Sequence, residues 1–307
     1  MSTPHIRIGT RSSQLALWQA RWVAAELERL GAQVEIIEIT TQGDRQQSGP
    51  IVELGLQGVF TKEIQAAVLR SEVDLAVHSL KDLPTETVWG LTLAAVPERE
   101  NCCDAIVSAS GEKLAALASG AIVGTGSLRR QAQLRAMRPD INVRGIRGNV
   151  DTRLSKLTTG EYDAIILASA GLNRLGLAEK VSEELAPPRM LPAPGQGTLG
   201  IECRLADELL LKFVAQIQHP DTRASTDAER SMLALLHAGC SAPVGAWGRI
   251  ENGKLRLDGL VASLDGTQIL RAAASGSLDD PLQLGRTVAE ELLAQGAQQL
   301  IDAARNS

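Results

Sequence analysis

Aromatic residues are almost missing from this chain: four Trp, two Phe and one Tyr among 307 residues. A nucleic-acid surface built on base stacking needs more of them, and the formal net charge of −5 argues the same way, so no nucleic-acid partner is expected. The cores must be built from Leu, Ile, Val and Ala. Long apolar runs are missing too. None approaches the ~20 residues of a membrane helix, and Met1 to Gly9 is too short and polar for a secretory leader. Cysteine is confined to positions 102, 103, 203 and 240. No pair has the spacing of a zinc site, so no metal is expected. The vicinal pair Cys102-Cys103 is poorly shaped for an ordinary disulfide. A reduced, cytoplasmic setting is the simplest account. A GxxxxGK[ST] phosphate loop is absent as well.

Arginine, by contrast, is concentrated. From Ala121 to Arg153 there are seven (Arg129, Arg130, Arg135, Arg138, Arg144, Arg147, Arg153) against two aspartates; seven minus two gives +5 within an acidic protein. The stretch opens as an apolar strand, Ala121-Ile122-Val123, turns through Gly124-Thr125-Gly126-Ser127, and then reads as a helix. Free N–H groups at a helix start favour anions, and guanidinium groups grip carboxylates or phosphates with two parallel hydrogen bonds. A pocket for a polyanionic small molecule is the first inference. Single arginines on helices are usually solvated surface, and Arg135 and Arg138, further along the helix, are read so. Arg129-Arg130, at its start, are not.

Along the chain, strand and helix patterns alternate in two α/β units. His5 to Gly9 and Gln33 to Ile39 read as strands flanking a helix from Leu15 to about Leu30, with Ser12 or Ser13 as its cap. Residues 44–57 are polar and glycine-rich and read as a surface loop. A helix from Thr61 to Ser71, a buried strand Val73 to Val77 and a strand Leu91 to Val96 complete the first unit. The second holds strands at 105–107, 121–123, 141–144 and 164–167, a short helix from Glu112 to Ala118, and helices from about Leu128, Val150 and Ser169. Thr198 to Glu202 is again a strand, and Cys203, in the same apolar context, is expected to be packed. The connectors near 97–103 and 188–197 predict that the chain leaves the first unit and returns, a two-hinge layout with a ligand cleft between lobes. Beyond His219 come a helix from Asp221 to Leu236, three strands broken at Glu251-Asn252-Gly253 and Asp265-Gly266, and two closing helices. The expected domains are 1–98 with 198–217, 103–191, and 220–307.

Three strand-to-helix junctions repeat one chemistry: Thr10-Arg11-Ser12-Ser13, Thr125 to Arg130, and Ser169 to Arg174. Each sets hydroxyls and arginine at a helix N-terminus, where parallel sheets bind ligands. Arg147 to Arg153 adds a fourth. Lys81-Asp82, after a buried strand, is either a loop ion pair or a carboxylate available for proton transfer. His78 reads as a structural histidine. Cys240, after Gly239 in a loop, is either inert or a thiol open to covalent attachment.

Taken in order, Ile8 to Gln19, His78 to Pro84, Gly124 to Arg130, Arg147 to Leu154, Pro194 to Gly197 and Gly239-Cys240 resemble the porphobilinogen deaminase (hydroxymethylbilane synthase) family almost end to end. The resemblance implies a transferase of haem (tetrapyrrole) biosynthesis, monomeric, with two α/β lobes like those of type II periplasmic binding proteins and a small α+β C-terminal domain. It implies a dipyrromethane cofactor joined by a thioether to Cys240, onto which four porphobilinogen molecules condense head to tail with loss of ammonia, before hydrolysis releases hydroxymethylbilane. By position, Asp82 is the catalytic carboxylate. Lys81, Thr125, Ser127, Arg129 and Arg130 hold the cofactor carboxylates with it. Arg11, Ser13, Phe60, Arg147, Arg153 and Arg174 receive the substrate or growing chain. The acetate and propionate of each pyrrole account for an arginine-rich site in an acidic protein. One position departs from the pattern: Gln57 stands where a loop lysine is common. The rivals are a non-catalytic two-lobe anion-binding protein, which gives no reason for Cys240 or the third domain, and a phosphate enzyme, which lacks its loop.

Overall fold

The computed structural model describes residues 3–41, 61–239 and 242–306. The loop at 44–57, including Gln57, and Phe60 and Cys240 lie outside the described residues. The chain divides into two compact units, residues 1–100 with 198–223 and residues 101–197 with 224–307. Among the described residues, no helix is long and apolar enough to cross a membrane.

In the first unit, strands β1 (His5–Thr10), β2 (Gln33–Glu38), β3 (Leu75–Ser79) and β4 (Leu91–Ala95) join β10 (Leu199–Arg204) in the order β2-β1-β3-β10-β4. Strand β1 is parallel to β2 and β3, whereas β10 is antiparallel to β3 and β4, so the sheet is mixed. The period-2 alternation of a strand sends Ile6, Ile8, Leu75 and Val77 to one face, against Val23 and Leu27 of α1 (Gln14–Arg29). Ala76 faces the other way, toward Ile64 and Val68 of α2 (Lys62–Leu69). Of the two candidate caps on α1, Ser13 does the work: its hydroxyl accepts from the Ala16 N–H at 3.3 Å.

The second unit repeats the topology. Strands β5 (Asp104–Ser108), β6 (Ile122–Gly124), β7 (Asn142–Arg144), β8 (Ala164–Ala168) and β9 (Glu183–Leu185) run in the order β7-β6-β8-β5-β9. Strands β7, β6 and β8 are parallel, and β5 runs against β8 and β9. Helices α3 (Leu128–Met137), α4 (Val150–Thr158) and α5 (Ser169–Arg174) follow β6, β7 and β8 respectively. The two sheets thus share one mixed α/β topology, each a five-stranded lobe with helices after its parallel strands. The short helix expected over Glu112 to Ala118 shrinks to a 3-10 turn at Leu114–Ala116. Strand β9 and helix α6 (Glu208–Val214) carry no distinct signal in the sequence.

Helix α7 (Pro220–Leu235) leads into a meander of β11 (Val244–Glu251), β12 (Lys254–Ala262) and β13 (Ile269–Gly276), closed by α8 (Pro281–Ala294) and α9 (Ala297–Arg305). Asn252 and Gly253 both take positive φ, 52° and 72°, as a two-residue hairpin turn requires. Met232, Leu257, Val288, Leu292 and Ile301 fill the core between sheet and helices. Within this unit the buried Glu229 ties two segments together, accepting from Gly195 N at 2.6 Å and from Gly248 N at 2.7 Å. Helices α7 and α8 approach closely at Gly285, where an added Cβ would lie 2.4 Å from the Ala228 carbonyl oxygen. Gly285→Ala should therefore cost about 1–3 kcal/mol, read from chemical unfolding.

Candidate active site

In the first unit the apolar strand β3 delivers a short turn, Leu80–Asp82. Leu80 and Leu83 are buried together with Val96, and Leu80 N donates to Thr198 O at 2.9 Å. Those anchors leave Asp82 exposed at the tip, with Lys81 half-buried beside it. The displayed carboxylate is held by packing on either side, not by burial of its own side chain. His78, one strand position from Ser79, is buried with its Nε2 3.4 Å from Glu202 Oε2, and Gln65 donates to both oxygens of Glu202. His78 is packed in the interior, but its Nε2 has no hydrogen-bond partner among the described residues. Arg11 is half-buried and follows Thr10, whose hydroxyl donates to Ala16 O. Cys203 is fully buried, and burial pushes its thiol pKa up to about 11.

The second unit gathers more. Because β7, β6 and β8 are parallel neighbours, their carboxyl ends open on one edge of the sheet. The junctions bearing Thr125 and Ser127, Arg147 and Arg153, and Ser169 and Arg174 therefore share that edge. Antiparallel β5 starts there, so Asp104 pairs with Ala168 at the same end. Ser127 caps α3, its hydroxyl accepting from Arg130 N at 3.5 Å, and the Thr125 hydroxyl oxygen accepts from Ser127 N at 3.3 Å. Arg153 Nε donates to Gly148 O and Arg174 to Gly197 O. Arg147 is half-buried.

Arg129 and Arg130 turn inward onto Asp104. Arg129 donates through NH1 to Asp104 Oδ2 at 2.6 Å and through NH2 to Oδ1 at 3.3 Å. Arg130 donates to Oδ1 through Nε at 2.9 Å and NH2 at 2.7 Å, and Gln196 adds a donor at 2.8 Å. Further bonds run from Arg129 and Gln133 to Leu191 O and from Arg130 to Ile166 O. Burial alone would raise the Asp104 pKa. The two guanidinium charges, with hydrogen bonds from Arg129 and Gln196, outweigh it and hold the carboxyl well below the usual carboxylate range. Burial lowers the Arg129 pKa against the pull of Asp104, but a guanidinium starts so high that it remains a cation.

Two arginines face one carboxylate, so this buried cluster carries an excess positive charge. Arg129 Nε and the Ser169 hydroxyl are buried with no partner among the described residues. Ser169 directly follows Ala168, the ladder partner of Asp104. Spare donors beside an uncompensated cation are the chemistry an organic carboxylate requires. The residues fit a carboxylate-bearing cofactor.

The structure corrects the assignment of Arg135 and Arg138 to solvated surface. Arg135 donates to Leu264 O, because the end of α3 meets the turn between β12 and β13. Arg138 forks onto Asp140, with both contacts at 2.7 Å, and also reaches Leu114 O and Leu117 O. Both arginines tie chain segments together. Sequence reasoning missed Asp104 and Gln196. The signal was an acid opening the apolar run Ala105 to Val107, since a carboxylate on a buried strand must find cations.

Against known proteins, the family model for the porphobilinogen deaminase dipyromethane cofactor binding domain matches residues 6–212. That for the porphobilinogen deaminase C-terminal domain matches residues 224–294. The porphobilinogen deaminase of Geobacter metallireducens is 49 % identical over 303 residues, covering 98 % of this chain and 95 % of the relative. That of Pelobacter propionicus is 47 % identical over 304 residues, covering 98 % of each. Among solved structures, a periplasmic substrate-binding protein of an ABC transporter from Coxiella burnetii is 13 % identical with a TM-score of 0.44, covering 73 % of this chain and 96 % of that one. This last likeness is too distant to bear on function. The two family models account for most of the chain, and identity near one half extends over almost all of both sequences. The chain therefore belongs to the porphobilinogen deaminase family.

Proposed function

We propose that this chain joins four porphobilinogen molecules head to tail, with loss of ammonia, and releases hydroxymethylbilane, using a dipyrromethane primer carried on Cys240. The observation that supports this most is the buried Asp104–Arg129–Arg130 cluster, whose excess positive charge and spare donors suit carboxylates carried by pyrrole rings. When bound, the dipyrromethane supplies a nucleophilic terminal pyrrole carbon. The protein supplies the rest. Arg129, Arg130, Thr125, Ser127 and Lys81 hold the primer's acetates and propionates. Arg11, Ser13, Arg147, Arg153 and Arg174 take those of the substrate and of the growing chain, and Phe60 lies against the incoming ring. Asp82 accepts a hydrogen bond from a pyrrole N–H, stabilises positive charge as it develops on that nitrogen, and carries protons to and from the reacting carbon. Its exposed position at a firmly anchored turn suits this role. We also propose a monomer acting in the cytoplasm on this small molecule, with no membrane partner and no nucleic acid; the acidic, aromatic-poor composition supports the last of these.

Intact-mass measurement of freshly made, reconstituted protein tests the proposal. Wild type should carry a two-pyrrole excess that Cys240→Ala lacks; an unmodified wild type would overturn it. A second expectation separates the arginines. Arg129→Leu should lower the cofactor-loaded fraction more than Arg135→Leu, because Arg129 serves the spare-donor cluster while Arg135 ties α3 to a carbonyl. Equal loading of the two variants would remove Arg129 from cofactor binding.

A further inference from the structure

A second feature of this edge has no part in the chemistry above. Cys102 and Cys103 directly precede Asp104, and both are half-exposed thiols outside any disulfide. Their backbone is fixed on three sides. Cys102 O accepts from Gln196 Nε2 at 2.8 Å, Cys103 O from Ser169 N at 3.0 Å, and Cys103 N donates to Asn101 Oδ1 at 2.8 Å. The neighbouring Cys102 thiol, burial and the carboxylates of Glu184 and Asp104 together raise the Cys103 pKa. The pair is thus two sequence-adjacent thiols on an immobilised peptide.

Few ligands suit such a pair. Tetrahedral zinc wants four protein ligands, and the described residues contain no group of three or more His, Cys, Asp or Glu able to hold a metal. A linear two-coordinate ion needs sulfurs on opposite sides of it, which consecutive residues on a fixed peptide do not readily offer. Reagents that need a thiolate are slowed by the raised pKa. A soft, pyramidal trivalent centre needs only two adjacent sulfurs, the soft ligands it prefers. One bridging atom also relieves the strain of a direct bond between adjacent cysteines.

We propose that Cys102 and Cys103 form a two-thiol site for trivalent arsenicals. With an arsenoxide, R–As=O, two S–H bonds and the As=O bond break and two As–S bonds form. Both protons leave with the oxygen as water. Arsenic stays trivalent, so no oxidant or reductant is consumed.

The test uses full-length, cofactor-loaded protein with phenylarsine oxide, followed by intact-mass analysis. Wild type should gain one phenylarsine oxide less one water per chain. The adduct should resist excess monothiol, be stripped by 1,2-ethanedithiol, and persist in Cys203→Ser. Cys102→Ser and Cys103→Ser, and the corresponding alanine variants, should each lose it. Two adducts per chain, stripping by monothiol, or an adduct retained in either single variant would overturn the proposal. The displacement experiment on wild type decides the matter even if a variant folds poorly.

Discussion

Asp104→Ala should destabilise the second unit by about 3–5 kcal/mol, the usual cost of breaking a buried ion pair by removing one partner. The loss is large because Arg129 and Arg130 are both buried against this carboxylate, which accepts four of their N–H groups and one from Gln196. Without Asp104, two guanidinium charges remain in a dry site with only carbonyl oxygens to face. Urea unfolding of wild type and variant measures the difference. A change under 1 kcal/mol (about the worth of an exposed pair) would mean that the arginines find solvent in the variant. Asp104→Asn keeps the shape and removes the charge, so it separates packing from electrostatics. Its pH dependence has a definite sign. The folded pKa of Asp104 is depressed, so its contribution is complete above the ordinary carboxylate pKa of about 3.9. That contribution is lost as the pH falls through the lower folded value. The stability gap between wild type and Asp104→Asn should be flat above about pH 5 and narrow in more acidic solution. A gap that widens toward acid would reverse the assignment.

Asp82→Asn should lower turnover by about 10²- to 10⁴-fold, the range for loss of a positioned acid–base group, and leave the fold intact. The fold survives because Asp82 is exposed and the turn is held by Leu80 and Leu83. Asparagine preserves the size of the side chain but removes the charge that stabilises a cationic pyrrole, and it cannot take up a proton at neutral pH. Turnover is read from hydroxymethylbilane release and fold from the thermal midpoint. Near-normal turnover would remove Asp82 from the mechanism, and a lowered midpoint would make its role structural. Asp104 and Asp82 divide the expected losses between stability and rate.

These contrasts mark how far local sequence reaches. The alternation Ile6, Ile8 and the run Val73 to Val77 identify strands because a strand's faces repeat every second residue. Asn252-Gly253 identifies its hairpin because few residues accept positive φ. The junction narrows the cap of α1 to Ser12 or Ser13, and the structure selects Ser13. Strand β9, with the sequence Glu-Glu-Leu, offers no such period; it is a strand because β5 leaves an edge for it to pair with. The lone sequence of Arg135 and Arg138 likewise resembles an exposed helix face, since the carbonyls that receive them belong to distant segments.

By itself the sequence determined that this is a two-lobe α/β protein with a small α+β domain, rich in arginine at strand ends, and it supplied the ordered motifs that mark the family. Those features are local: side-chain period, turn chemistry and spacing are written within a few residues of each other. Tertiary structure decided what the arginines touch. Parallel pairing of β7, β6 and β8 brings three separate junctions to one edge, and the antiparallel return of β5 places Asp104 among them. A charge 25 residues from Arg129 becomes its buried partner through that register. The strong electrostatics of this protein depend on contacts that no local pattern encodes, because burial and pairing arise only when distant strands share a sheet.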